Sequence, residues 1–153
     1  MPPPTINDTL AANLACLGDR NASIAEAIAQ SPPCEHLVFD QSKQGDLTAT
    51  RQGHLLASQH HPVKEGTQFV EDVDLAEHAA FVICGFGLGY HVQALAKRLG
   101  RKGLIIVFEN DLSLLRDVLS RIDHSQWLKN SLVLFANNAQ DRGELGRLLH
   151  GAD

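Results

Sequence analysis

The string Gly85-Phe86-Gly87-Leu88-Gly89 is the part of this chain most able to hold a ligand. It follows an apolar run, Phe81-Val82-Ile83-Cys84, and precedes Val92, Leu95, Ala96 and Leu99, which recur at helical spacing. Glycines at a strand-to-helix bend let the backbone turn sharply and let a ligand approach its amides. The start of the following helix offers unpaired N–H groups to an anion. Glu109 ends the next apolar run, Leu104-Ile105-Ile106-Val107-Phe108, twenty residues after Gly89. A carboxylate there accepts hydrogen bonds from a ribose hydroxyl pair in dinucleotide and S-adenosylmethionine sites. The expected ligand-binding set is Gly85, Gly87, Gly89, Tyr90, His91 and Glu109. The plainer alternative is that the glycines only permit a tight connection and that Glu109 only complements the next helix start.

The spacing narrows the ligand. Gly-x-Gly-x-Gly lacks one residue of the dinucleotide Gly-x-Gly-x-x-Gly pattern, and the bulky Tyr90-His91 follows it. That points away from NAD or FAD and toward a methyltransferase-like turn or a different nucleotide-type ligand. His91 could bind a phosphate or carry a proton near neutral pH, or pack on the turn with one ring nitrogen held by backbone. Tyr90 could stack on a base or fill a gap over the sheet. Cys84, at the end of an apolar strand, reads as a small core residue. Asp123-His124-Ser125 has the residue types of a hydrolytic triad, but sequence neighbours rarely face one another and no nucleophile elbow is present. His54, His60 and His61 lack a partnering carboxylate or cysteine, so no metal site is expected.

The elements that position these residues fall into two textures. Residues 5–31 are helix-forming, with Leu10, Leu14 and Leu17 on one stripe, Gly18 as a stop, and Asn21 or Ser23 as the cap of a second helix. Pro32-Pro33 ends that helix. Short alternating runs at 36–39, 47–50 and 54–57 predict two or three antiparallel strands. From about Pro62 the chain alternates helix (64–70, 92–99, the helix opened by Leu112, and a last one carrying Leu145, Leu148 and Leu149) with apolar strands at 81–84, 104–108 and 132–135. Such runs suit strands covered on both faces. The expected class is α/β: a Rossmann-like parallel sheet with flanking helices, preceded by N-terminal helices and a short antiparallel hairpin region. The boundaries are 1–60 and 61–153, within one compact domain.

Composition bounds the rest. A chain of 153 residues, 44% hydrophobic and 20% charged, can bury enough surface to fold unaided. The net charge of -5, with signs interspersed, argues against nucleic acid or an anionic membrane as partner. No apolar run reaches the roughly 18 residues of a membrane span. The first eight residues lack the charged and apolar regions of a signal peptide. Three scattered cysteines read as reduced thiols, so the expected location is the cytoplasm.

The string Gly85-Phe86-Gly87-Leu88-Gly89-Tyr90-His91-Val92, with Val107-Phe108-Glu109, resembles the Rossmann-like N-terminal domain of the Maf-type motility-associated proteins. His54-Leu55-Leu56-Ala57-Ser58-Gln59-His60-His61-Pro62-Val63-Lys64-Glu65 is similar to the segment preceding that domain, and the resemblance covers roughly residues 45–137. Gly66 and Asn110 depart from the pattern. The family includes flagellin glycosyltransferases, and its central domain is related to 6-hydroxymethylpterin pyrophosphokinases. The resemblance implies that transfer chemistry belongs to a downstream catalytic domain that binds a nucleotide-activated sugar. On that reading the chain is a fragment of a longer protein or a stand-alone relative, and it does not transfer sugar alone. Two function classes follow: a non-catalytic module holding a nucleotide or nucleotide-sugar at the glycine turn, and an S-adenosylmethionine-dependent methyltransferase-like enzyme. The second lacks room for the remaining strands such an enzyme uses.

Overall fold

The computed structural model describes residues 5–137, together with Gly143 and Gly146. Helix α1 (Asp8–Ala15) starts where the Asn7 side chain accepts the Leu10 amide, and it buries Leu10. Helix α2 (Ala22–Gln30) buries Ile24 and Ile28. Its N-cap residue, Asn21, does not cap it, contrary to the sequence reading. The Asn21 side chain instead donates to Leu17 O and Val133 O and accepts the Phe135 amide. A buried amide able both to donate and to accept is worth more against an unpaired strand edge than at a helix start.

Strands β1 (Leu37–Gln41), β2 (Leu47–Arg51) and β3 (His54–Leu55) form an antiparallel sheet in that order, as the alternating runs predict. Helix α3 (Pro62–Val70) follows, with proline at its first position, where no amide is required. The parallel sheet consists of β4 (Ala80–Cys84), β5 (Leu104–Phe108) and β6 (Leu132–Ala136), again in sequence order. Helix α4 (Tyr90–Leu99) connects the first pair; α5 (Leu112–Arg121) and the short α6 (Ser125–Leu128) connect the second. Asp111 caps α5 by accepting the Leu114 amide. The expected final helix, with Leu145, Leu148 and Leu149, lies outside the described residues.

Adding strands in one direction with right-handed crossovers puts both connecting helices on one face of the sheet. Ile83, Ile105, Val107 and Phe135 are buried on that face with Val92, Leu95, Leu115 and Val118. On the opposite face Val82 is 65% exposed and Cys84 is exposed, so β4 is not covered on both sides as its apolar run predicts. Cover returns at β6, where Leu134 and Ala136 are buried.

The antiparallel sheet is tied to the parallel half at separate points. Arg51 pairs with Asp111, and the Asp117 carboxylate accepts the Cys34 amide at 2.8 Å. The Arg121 guanidinium lies 4.7 Å from the centre of the Phe39 ring. No described helix is long and apolar enough to cross a membrane.

Candidate functional site

The bend between β4 and α4 is built from three left-handed residues: Gly85, Gly87 and Gly89 have φ of 91°, 53° and 87°. Gly89 is also forced by space, since a Cβ there would come within 2.5 Å of the Phe86 ring and 2.8 Å of the His124 ring. Phe86 points into the core, fully buried, with ring centres 5.5 Å from His124 and 5.6 Å from Phe135. Three of the five amides of the bend have protein acceptors. Gly85 N–H donates to Phe108 O and Gly89 N–H to Phe86 O, each at 2.8 Å. Phe86 N–H donates to the Glu109 carboxylate at 3.2 Å, and the other oxygen of Glu109 accepts the Asp111 amide at 3.3 Å. The half-buried Glu109 thus supplies a negative charge to the bend from within the chain.

His124 supports the bend from beneath. Its Nε2–H donates to Leu88 O at 2.9 Å, and its Nδ1 accepts the Trp127 indole N–H at 2.8 Å. Because a carbonyl only accepts, these two bonds fix a neutral ring. Burial lowers the His124 pKa to about 4. Asn13 holds this segment in place, accepting the His124 amide while donating to Leu119 O and Ile122 O at the end of α5. The side chains of Asp123 and Ser125 bond to each other instead, at 2.5 Å, so the Asp-His-Ser neighbours form no relay. Nothing in the chain pattern singled out His124 as a support of the glycine bend. Its partners Leu88 and Asn13 lie 36 and 111 residues away.

Helix α3 lies directly on the start of α4. A Cβ at Gly66 would come 2.6 Å from the Tyr90 carbonyl carbon and 2.7 Å from the His91 nitrogen. The departure at Gly66 therefore has a packing cause. Tyr90 is buried, and its hydroxyl donates to Leu47 O in β2 at 2.6 Å, joining the two sheets; burial raises its pKa to about 12. His91 donates Nε2–H to Gly85 O at 2.9 Å and meets Phe69 edge-on at 5.4 Å. Burial lowers its pKa, the bond to Gly85 opposing, so the ring is neutral near pH 7.

Between α3, the chain after β3 and the bend lies a cleft of about 370 Å³. Its walls include Leu56, Pro62, Phe69, Gly85, Gly87 and His91. Cys84 also faces it and is exposed, not the core residue its strand position predicts. A Cβ at Gly85 would meet nothing within 4 Å, so this backbone is bare to an approaching group. Tyr90 and His91 reach the cleft, but Glu109 is not among its walls, so the expected set is split between the cleft and the inner brace. His54, His60 and His61 are exposed, and the His60 and His61 amides bond to the Ser58 hydroxyl. Among the described residues no group of three or more His, Cys, Asp or Glu could hold a metal ion.

A parallel sheet, a glycine bend and an acid just after the next strand define a Rossmann-like α/β module. The fold is similar to that of the solved MAf glycosyltransferase from Magnetospirillum magneticum AMB-1, with a TM-score of 0.57 and 17% sequence identity over 95% of this chain. The resemblance read from the Gly85 string therefore holds at the level of the fold. The match covers 29% of that chain, so the present sequence spans less than a third of its length. No family model and no curated protein matches the sequence.

Proposed function

We propose that this chain is a non-catalytic Rossmann-like module of a Maf-like glycosyltransferase-family protein that holds a nucleotide-type ligand, such as a nucleotide or nucleotide-sugar, at the glycine bend. The observation that carries this reading is the cleft itself: two glycine backbones, Gly85 and Gly87, form part of its wall. Bare backbone beside a pocket of this size is what close approach of a small molecule needs. On this Maf-like reading, transfer chemistry falls to a downstream domain of a longer protein. Three free thiols and the interspersed charge fit a cytoplasmic protein.

Titration calorimetry with CMP, UDP, ATP and S-adenosylhomocysteine tests the proposal. Binding of a nucleotide that is weakened by Phe69→Ala, with the fold intact by circular dichroism, supports it. Tight binding of S-adenosylhomocysteine alone favours the methyltransferase-like alternative, and no binding of any of the four removes the ligand from the proposal. Neither methyl nor sugar transfer is expected from the isolated chain.

A further inference from the structure

The polar groups of the cleft are unlike those of a phosphate site. Among the described residues lining it, Glu65 is the only acidic side chain, and there is no Lys or Arg. Glu65 is exposed, and its carboxylate accepts the Ser58 amide at 3.1 Å, which holds it at the cleft. His91 donates Nε2–H to Gly85 O, so its Nδ1 is left as an acceptor. The Tyr90 hydroxyl hydrogen is spent on Leu47 O. Apart from the weakly donating Cys84 thiol, the side chains therefore offer acceptors.

Most of the bend's backbone donors are also engaged, leaving the amides of Gly87 and Leu88. A phosphate at such a bend takes the turn amides and the first amides of the following helix. Here Glu109 holds the Phe86 amide, and carbonyls hold those of Gly85 and Gly89. The Gly66 backbone packs against the peptide between Tyr90 and His91 at the start of α4. The remaining walls, Leu56, Ala57, Pro62 and Phe69, are apolar, and Phe69 is 71% exposed, leaving ring surface free to stack.

We infer that this cleft receives the amine-bearing base of a nucleoside-type ligand, with Glu65 accepting from the exocyclic amine, and that it turns phosphate groups outward. The inference rests on the nucleotide-binding reading above and specifies which end of the ligand enters. An aromatic heterocycle with N–H donors satisfies Glu65 and His91 and stacks on Phe69, whereas a phosphate would face a carboxylate with no cation to offset it.

Calorimetry at fixed ionic strength with adenosine, inosine, cytidine, uridine and the 5′-monophosphates of all four tests this. The expected result is that adenosine or cytidine binds at least as tightly as its monophosphate and more tightly than inosine or uridine, which lack the exocyclic amine. Glu65→Gln should improve monophosphate binding relative to the nucleoside by about tenfold, the scale of one like charge at about 6 Å in a half-wet cleft. Monophosphates binding tenfold more tightly than nucleosides, or a ratio unmoved by Glu65→Gln, would overturn the inference while leaving the nucleotide-binding proposal standing. If none of the eight compounds binds, both fall together. Thermal melting of the variant checks that the substitution at this exposed position leaves the fold intact.

Discussion

Glu109 turns its carboxylate back onto the glycine bend and accepts the Phe86 amide at 3.2 Å. The other oxygen holds the Asp111 amide, so one side chain fixes the bend after β4 against the loop after β5. A carboxylate accepting backbone amides at the carboxyl ends of two parallel strands serves the fold whether or not a ribose reaches it. Glu109→Ala should therefore lower stability by about 1–2 kcal/mol, since hydrogen bonds to a charged group are worth more than neutral ones and this group is partly solvated. Urea unfolding measures the loss, and an unchanged midpoint would show that the brace contributes nothing.

Gly66→Ala tests the seating of α3 on α4. In an exposed helix this change stabilises by about 1 kcal/mol. Here the new methyl would press to within 2.6 Å of main-chain atoms at Tyr90, which cannot yield as a flexible side chain does. The expected result is a net loss of about 1–3 kcal/mol in chemical denaturation.

His124 links stability to pH. Its ring is buried and neutral, with a pKa lowered from 6.5 to about 4, so below pH 6.5 the unfolded chain binds a proton that the native chain refuses. The stability contributed by keeping this ring neutral is complete above about pH 6.5. It is lost as the pH falls toward 4, and the slope flattens below that; the span is about 3 kcal/mol. Unfolding free energies measured from pH 7 to 4 should show this fall, and His124→Gln should reduce the slope. An equal slope in the variant would place the pH dependence elsewhere.

The Tyr90 hydroxyl bond to Leu47 O joins the parallel half to β2, alongside the Arg51–Asp111 pair at the other end of that strand. Tyr90→Phe keeps the buried ring and leaves Leu47 O without this donor, at a cost of about 1 kcal/mol. Hydrogen exchange should quicken in β2 before it quickens in β5, because only β2 loses a direct anchor. Uniform quickening would contradict a local role.

Val82 and Val107 are both strand valines, on β4 and β5, with opposite surroundings: Val82 is 65% exposed and Val107 fully buried. Val82→Lys should leave stability within about 0.5 kcal/mol, as surface changes do. Val107→Lys should unfold the domain, because it buries an unpaired charge. Thermal melting separates the two outcomes.

Much of the architecture was legible along the chain because helices and strands carry local periodicity. The apolar stripe of 92–99, the apolar run 104–108 and the proline that opens α3 act over a few residues, and each element stands where those signals lie. The glycine bend was legible for the same reason, since φ above zero is a local demand that glycine meets. Pairwise reach was not legible. Asn21 serves a strand edge 112 residues away instead of its own helix, Cys84 and Val82 lie on the face the crossovers leave open, and His124 turns from its neighbours toward Leu88. Those choices depend on which distant donors, acceptors and surfaces packing brings together, and periodicity carries no record of them. Local patterning along the chain sets the order of elements and the placing of the bend. Long-range packing alone makes Glu109 the inner brace of that bend and turns Glu65, Phe69 and His91 toward the cleft.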